Sequence, residues 1–183
     1  MRKLEEPEPQ PLPGGAPPRE GAVLVVVYER CGEVRIPLIR RAQRVNRHRG
    51  EVGLPGGARD PTDASLQATA LRETQEELGV DPKDLQVVTA LLPVFIPVSN
   101  FLVTPFVALA RAPLTFHPAA DEVDGVIELP LAVLLDPGRR REEEWVVRGE
   151  RRLVPFVLYQ GHAIWGATYR ILRRFVRYLG LPD

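Results

Sequence analysis

From Val23 to Tyr28 the chain is apolar at every position and rich in β-branched valine, the pattern of a strand buried on both faces. Val34 to Ile39 is a second such run, and Cys31-Gly32-Glu33 between them suits a hairpin turn. Apolar runs at Leu85 to Phe95, Leu102 to Leu109 and Val123 to Leu129 predict further strands, and Leu131 to Leu135 predicts a short helix. Trp145 to Val147 and Leu153 to Tyr159, joined around Arg148-Gly149-Glu150, predict another hairpin. Two segments carry a helical period instead. Asp60-Pro61-Thr62-Asp63 offers an acid able to cap, a proline for a first turn and a second acid, so a helix is predicted to start there and run to Leu78, with Gly79 as its stop. Its apolar stripe is Ala70, Leu71, Thr74 and Leu78. Ala167 to Leu179 is amphipathic, with Ile171, Leu172, Phe175, Val176 and Leu179 expected inward and Arg170, Arg173, Arg174 and Arg177 outward. Strands flanked by two helices imply a layered α/β/α domain.

The remaining segments lack either period. Residues 5 to 21 hold Pro7, Pro9, Pro11, Pro13, Pro17 and Pro18 with Gly14 and Gly15 between them, which excludes a helix. The expected division is a proline-rich arm over residues 1–21 and one domain over residues 22–183. Arg40 to Gly57 is charged and glycine-rich, and reads as a long functional loop. Arg139-Arg140-Arg141-Glu142-Glu143-Glu144 neutralises itself and reads as an exposed turn.

A length of 183 residues with 44% hydrophobic positions fits one compact domain. Lysine plus arginine equal aspartate plus glutamate at 24 each, which removes any global electrostatic case for nucleic acid or an anionic membrane. An anionic ligand must therefore meet a local basic cluster. Cys31 is the single cysteine, so an internal disulfide and a multi-cysteine metal site are excluded. With no apolar run of membrane-spanning length and no signal pattern at the N-terminus, a cytoplasmic location is the expectation.

The candidate chemistry lies in Arg72-Glu73-Thr74-Gln75-Glu76-Glu77-Leu78-Gly79. A helix would crowd Glu73, Glu76 and Glu77 onto one face near the negative end of its dipole, at about 0.2–0.5 kcal/mol for each like-charged pair. Arg72 offsets only part of that charge through Glu76, and a hard divalent cation such as Mg²⁺ or Mn²⁺ would remove the rest. A solvated helix face is the bland alternative.

Gly53-Leu54-Pro55-Gly56-Gly57 followed by Arg72-Glu73-x-x-Glu76-Glu77-x-Gly79 resembles the Nudix box, G-x(5)-E-x(7)-R-E-U-x-E-E-x-G-U with U aliphatic. Between Gly57 and Arg72 there is one residue more than usual, so the expected glutamate falls on Asp63 or Ala64, and Thr74 stands at an aliphatic position. The resemblance implies an α/β/α sandwich with a mixed β-sheet and hydrolysis of a diphosphate linked to another moiety. It also implies Glu73 and Glu77 as metal ligands with Glu76 close behind, a backbone carbonyl of Gly56 in the metal shell, and Arg72 orienting the glutamates. A later acid joins the site in many members; Glu122 is the candidate base, and Glu51 the weaker alternative. A Nudix domain without activity, kept as a ligand sensor, is the rival of a different class.

Leu38 to Gly57 resembles the signature that precedes the box in coenzyme A pyrophosphatases, L-L-T-x-R-S-x(3)-R-x(3)-G-x(3)-F-P-G-G. Arg41, Gly50, Pro55, Gly56 and Gly57 match, whereas Pro37, Ile39, Ala42, Asn46 and Leu54 do not. Gly-Glu-Val before the Pro-Gly-Gly, Arg-Asp-Pro-Thr-Asp after it, and Ile164-Trp165-Gly166-Ala167-Thr168 are similar to the same group. This implies cleavage of coenzyme A or its thioesters to adenosine 3′,5′-bisphosphate and 4′-phosphopantetheine or its acyl form, with a homodimer as a family expectation. Arg41, Arg44, Arg47 and Arg49 could clamp phosphate in bidentate fashion. Solvated loop arginines are the alternative, as a surface position is for His48 and a core position for Trp165. Other nucleoside diphosphate derivatives, ADP-ribose or NADH, are the alternative substrates.

Overall fold

The computed structural model describes residues 16–42, 51–147 and 149–181. In chain order the strands and helices are β1 (Arg19–Arg30), β2 (Glu33–Arg41), β3 (Val52–Gly53), β4 (Gly56–Ala58), α1 (Leu66–Leu78), β5 (Leu85–Ala90) and β6 (Val94–Ile96). They continue with β7 (Phe101–Ala110), β8 (Val123–Pro130), α2 (Leu131–Leu135), β9 (Arg140–Val147), β10 (Glu150–Tyr159), β11 (His162–Trp165) and α3 (Gly166–Tyr178).

β1 organises the molecule. It runs parallel to β7 on one side; on the other its first half pairs antiparallel with β4 and its end with β2. β5 and β6 pair antiparallel with β7, and β8 with β2, so the large sheet is mixed. Alternate residues of β1 enter two different cores, which is why its sequence is apolar throughout. Ala22, Leu24, Val26 and Tyr28 pack with Ala70 and Leu78 of α1. Val25 belongs to the opposite core with Ile171, Leu172, Phe175 and Val176 of α3. Strands β9, β10 and β11 form a second sheet whose Val157 and Ile164 close that same core. The result is the expected α/β/α sandwich, with α1 on one face and α3 on the other.

Several local expectations change. The acidic helix starts at Leu66, not at Asp60: Ser65 is extended at φ −161° and its side chain accepts the Ala68 N–H as the cap. Asp60 to Asp63 is a turn instead, closed by Asp63 N–H to Asp60 O at 3.0 Å. The loop expected from Arg40 to Gly57 is strand at both described ends, because β2 continues through Arg41 and β3 and β4 pair through backbone alone. The run expected as one strand from Leu85 to Phe95 divides into β5 and β6, both on β7. Arg140 to Glu144 is not a turn but the first five of the eight residues of β9, whose register on β10 pairs Glu144 with Leu153 and Arg141 with Phe156. β11 follows a two-residue turn in which Gln160 (φ 48°) and Gly161 (φ 78°) both lie in the left-handed region, a hairpin signature without an apolar run to announce it. On α3, Arg173 is buried rather than outward and donates to Leu134 O at 3.0 Å, while Leu179 lies past the helix end and is exposed.

Arg19 to Gly21, assigned to the arm by composition, belong to β1; residues 1–15 of that arm lie outside the described residues. Among the described residues no helix is long and apolar enough to cross a membrane.

Candidate active site

Helix α1 presents its three acids unequally. Glu77 is 2% exposed, Glu73 16% and Glu76 55%, so a face that looks uniform in sequence runs from core to solvent. The cause is β4, which crosses beneath the helix. Gly56 N–H donates to Glu77 Oε2 at 2.8 Å. Its φ of 150° is one that L side chains rarely adopt, and a Cβ there would meet Val23 Cα at 2.6 Å. At Gly57 a Cβ would stand 2.5 Å from the Glu73 carboxylate. Glycine at 57 thus lets backbone approach the Glu73 carboxylate where a side chain would displace it, and glycine at 56 lets β4 lie against β1 with its N–H on Glu77.

Arg72 ties the acids together from behind. Its Nε and Nη2 donate to Asp63 Oδ1 and Oδ2, each at 3.0 Å, and its Nη1 donates to Glu73 Oε1 and Glu76 Oε2, each at 2.9 Å. Nη2 also reaches Ala58 O at 3.3 Å. Asp63 is fixed in turn by the Asp60 N–H at 2.9 Å and the Thr69 hydroxyl at 2.8 Å. The Arg72 hydrogen bonds, with the Asp60 N–H, hold the Asp63 carboxyl well below the usual carboxylate range. Of the two positions left open by the extra residue, Asp63 is therefore the one that meets the arginine. In the sequence Asp63 is readable only as one of two positions for the expected box glutamate, an acid nine residues before Arg72 in a turn-forming Asp-Pro-Thr-Asp stretch.

The segment after β7 closes the helix end. Gly79 caps α1 at φ 69° and leaves room for His117, whose N–H donates to Leu78 O at 2.8 Å. Ala119 N–H reaches Glu77 O at 3.3 Å, so late carbonyls of the helix find donors in this segment. It then delivers Glu122, whose N–H donates to Ala119 O at 3.0 Å and whose carbonyl accepts from Ala42 N–H at 2.8 Å. The Glu122 charge acts on both Glu73 and Glu77. Burial pushes the Glu77 carboxyl up to about 7; Arg41 and the Gly56 N–H oppose the shift, and Glu73 and Glu122 add to it. Burial likewise raises Glu73, against the pull of Arg72.

Arg41 completes the cluster: its Nη2 donates to Gly56 O at 3.1 Å and lies 3.5 Å from Glu77 Oε1. Glu51 contributes its carbonyl, which accepts the Arg41 N–H at 3.0 Å. Arg44, Arg47, His48 and Arg49 lie outside the described residues. Trp165 is half-buried and packs edge-on against Trp145 at 5.7 Å between ring centroids.

The donors at this site are all oxygens, the chemistry of a hard cation. Among the described residues no three histidine, cysteine or acidic side chains form a ready cage. A cation here would be held by Glu73, Glu77 and the Gly56 carbonyl, with water and phosphate oxygens supplying the rest, as Mg²⁺ commonly is.

The family model of the NUDIX domain matches residues 18–148. The chain belongs to the NUDIX domain family. Nudix hydrolases generally use divalent metals such as Mg²⁺ or Mn²⁺, in keeping with the oxygen donors of α1. Among relatives, a Cronobacter sakazakii protein named uncharacterized Nudix hydrolase NudL is 41% identical over 162 residues, covering 88% of this chain and 83% of its own length. A Klebsiella pneumoniae protein of the same name is 38% identical over 172 residues, covering 94% and 88%. The crystal structure of the Nudix hydrolase RenU from M. smegmatis shares the fold, with a TM-score of 0.60 at 22% identity over 90% of this chain and 89% of that one. The NUDIX domain of Shewanella oneidensis NrtR, crystallised with ADP ribose, has a TM-score of 0.51 at 21% identity, covering 65% of this chain and 77% of that one.

Proposed function

We propose that this Nudix hydrolase cleaves the diphosphate bond of coenzyme A or its thioesters, giving adenosine 3′,5′-bisphosphate and 4′-phosphopantetheine or its acyl form. One observation carries the choice of substrate. Arg41, which matches the coenzyme A pyrophosphatase signature, reaches Glu77 of α1 and the Gly56 carbonyl, whereas Pro37, Ile39, Ala42 and Leu54, which depart from it, are all buried. The described mismatches therefore concern packing, and the match concerns the ligand.

In this reading Glu73 and Glu77, with Glu76 at the exposed side and the Gly56 carbonyl, hold Mg²⁺ or Mn²⁺, which supplies neutralisation of the diphosphate oxygens. Arg72 keeps Glu73 and Glu76 in place through Nη1. A carboxylate oxygen of Glu122 accepts the proton of the attacking water, and Arg41 donates to a phosphate oxygen, joined by Arg44, Arg47 and Arg49. Glu77 lies on the buried side of the site.

Assaying the full chain with coenzyme A, 3′-dephospho-coenzyme A, ADP-ribose and NADH in Mg²⁺ and Mn²⁺ tests the assignment. Preferred turnover of coenzyme A supports it. Turnover of ADP-ribose or NADH without coenzyme A moves the chain to the alternative substrate class, and turnover of none favours a ligand sensor. Glu122→Gln should lower kcat by about 10²–10⁴-fold at little change in KM, the range for a lost general base.

A further inference from the structure

We propose that Arg41 and a divalent cation are alternative partners of Glu77 Oε1 and the Gly56 carbonyl, so that Arg41 restrains cation binding and turns to substrate phosphate once the cation has taken its place. The inference rests on the reading of Glu77 and Gly56 as metal donors, and adds an order of events to it.

The contacts define the competition. One nitrogen, Arg41 Nη2, bridges the Gly56 carbonyl at 3.1 Å and Glu77 Oε1 at 3.5 Å. Glu77 Oε2 accepts the Gly56 N–H at 2.8 Å, and Oε1 is the oxygen that faces Arg41. A guanidinium and a divalent cation cannot share these two oxygens without strong repulsion.

The backbone beneath Arg41 is fixed while its head is not enclosed. Its N–H donates to Glu51 O at 3.0 Å, and the next N–H, of Ala42, donates to Glu122 O at 2.8 Å. The β2–β8 register shifts between Arg40 and Arg41, an irregularity of the kind that re-aims a side chain beside a site. Arg40, the preceding residue of the strand, donates to Asp124 O at 3.2 Å. The Arg41 side chain is 31% exposed, so rotation about its side-chain bonds can carry the guanidinium outward without moving the strand. A planar guanidinium released at this point is suited to bidentate contact with a diphosphate. Cation and substrate binding then become positively coupled, since each favours the same outward position of Arg41.

The test is Mn²⁺ binding to the full chain by calorimetry without substrate. Arg41→Gln and Arg41→Met, which keep the stem and remove the charge, should bind Mn²⁺ about tenfold more tightly than the wild type, the size of one lost like-charge contact near a surface. Arg41→Lys, which keeps the charge, and Arg40→Gln, a neighbouring arginine outside the site, should bind like the wild type. Both Arg41→Gln and Arg41→Met should also raise KM for coenzyme A. Equal or weaker Mn²⁺ binding in both variants overturns the inference and leaves the metal site standing. Absence of Mn²⁺ binding in the wild type and in both variants overturns the inference and the metal site alike.

Discussion

Arg72 and Asp63 are joined by two parallel hydrogen bonds, Nε to Oδ1 and Nη2 to Oδ2, both 3.0 Å long. The third arm of the same guanidinium carries Glu73 and Glu76. Asp63 thus sets the orientation of an arginine that sets the orientation of two acids, from a turn that touches neither. Asp63→Ala should reduce turnover by about 10–100-fold, the usual loss when an outer support of a metal site is removed, with weaker Mn²⁺ binding alongside. Normal turnover and normal Mn²⁺ binding in a folded Asp63→Ala protein would show that Arg72 needs no such anchor.

The two glycines of β4 should fail in different ways. Alanine at 56 meets backbone, Val23 Cα at 2.6 Å, in a conformation with φ 150°, so Gly56→Ala should lower the melting temperature markedly. Alanine at 57 meets the tip of a flexible side chain, the Glu73 carboxylate at 2.5 Å, so Gly57→Ala should leave the fold stable and reduce activity by turning Glu73 aside. Thermal unfolding and coenzyme A turnover on the two variants separate these outcomes; equal loss of stability in both would contradict the distinction.

Stability of the metal-depleted protein should depend on pH through Glu77. Its carboxyl titrates near 7 when folded, against an ordinary value of 4.5, so the folded state holds a proton that the unfolded state has released. Stability is then full below about pH 4.5, falls by a few kcal/mol as pH rises through about 7, and levels off above it. Asp63 acts in the opposite sense, its contribution present above its ordinary range and lost in acid. Urea unfolding in chelator from pH 5 to 8 measures the slope. Glu77→Gln should flatten it, and a slope unchanged by that variant would place the titrating group elsewhere.

The layered fold was legible because β1 announces two buried faces with valine at consecutive positions and α3 carries a strong apolar stripe. What stayed hidden has no side-chain periodicity to report it. β3 and β4 pair through glycine-rich backbone, β9 is a charged strand, and β11 depends on a turn. The acids Glu73, Glu76 and Glu77 were readable as a set, yet their unequal burial was not, since it depends on β4 crossing beneath α1. The same holds for Arg173: its arginine type places it on the polar face, and only the position of α2 shows that Leu134 O lies waiting for it inside.

The acid face of α1 and its Gly-Gly loop are proposed to form a metal-dependent diphosphate site for coenzyme A. Product analysis of coenzyme A incubated with Mg²⁺ and the wild type, Glu73→Gln or Glu77→Gln tests it most directly. The wild type should release adenosine 3′,5′-bisphosphate and 4′-phosphopantetheine, stop on adding chelator and resume with Mg²⁺, and both variants should fold normally and lose turnover by orders of magnitude. Release of the same products at near-normal rate by both variants, or by the wild type in chelator, would contradict it.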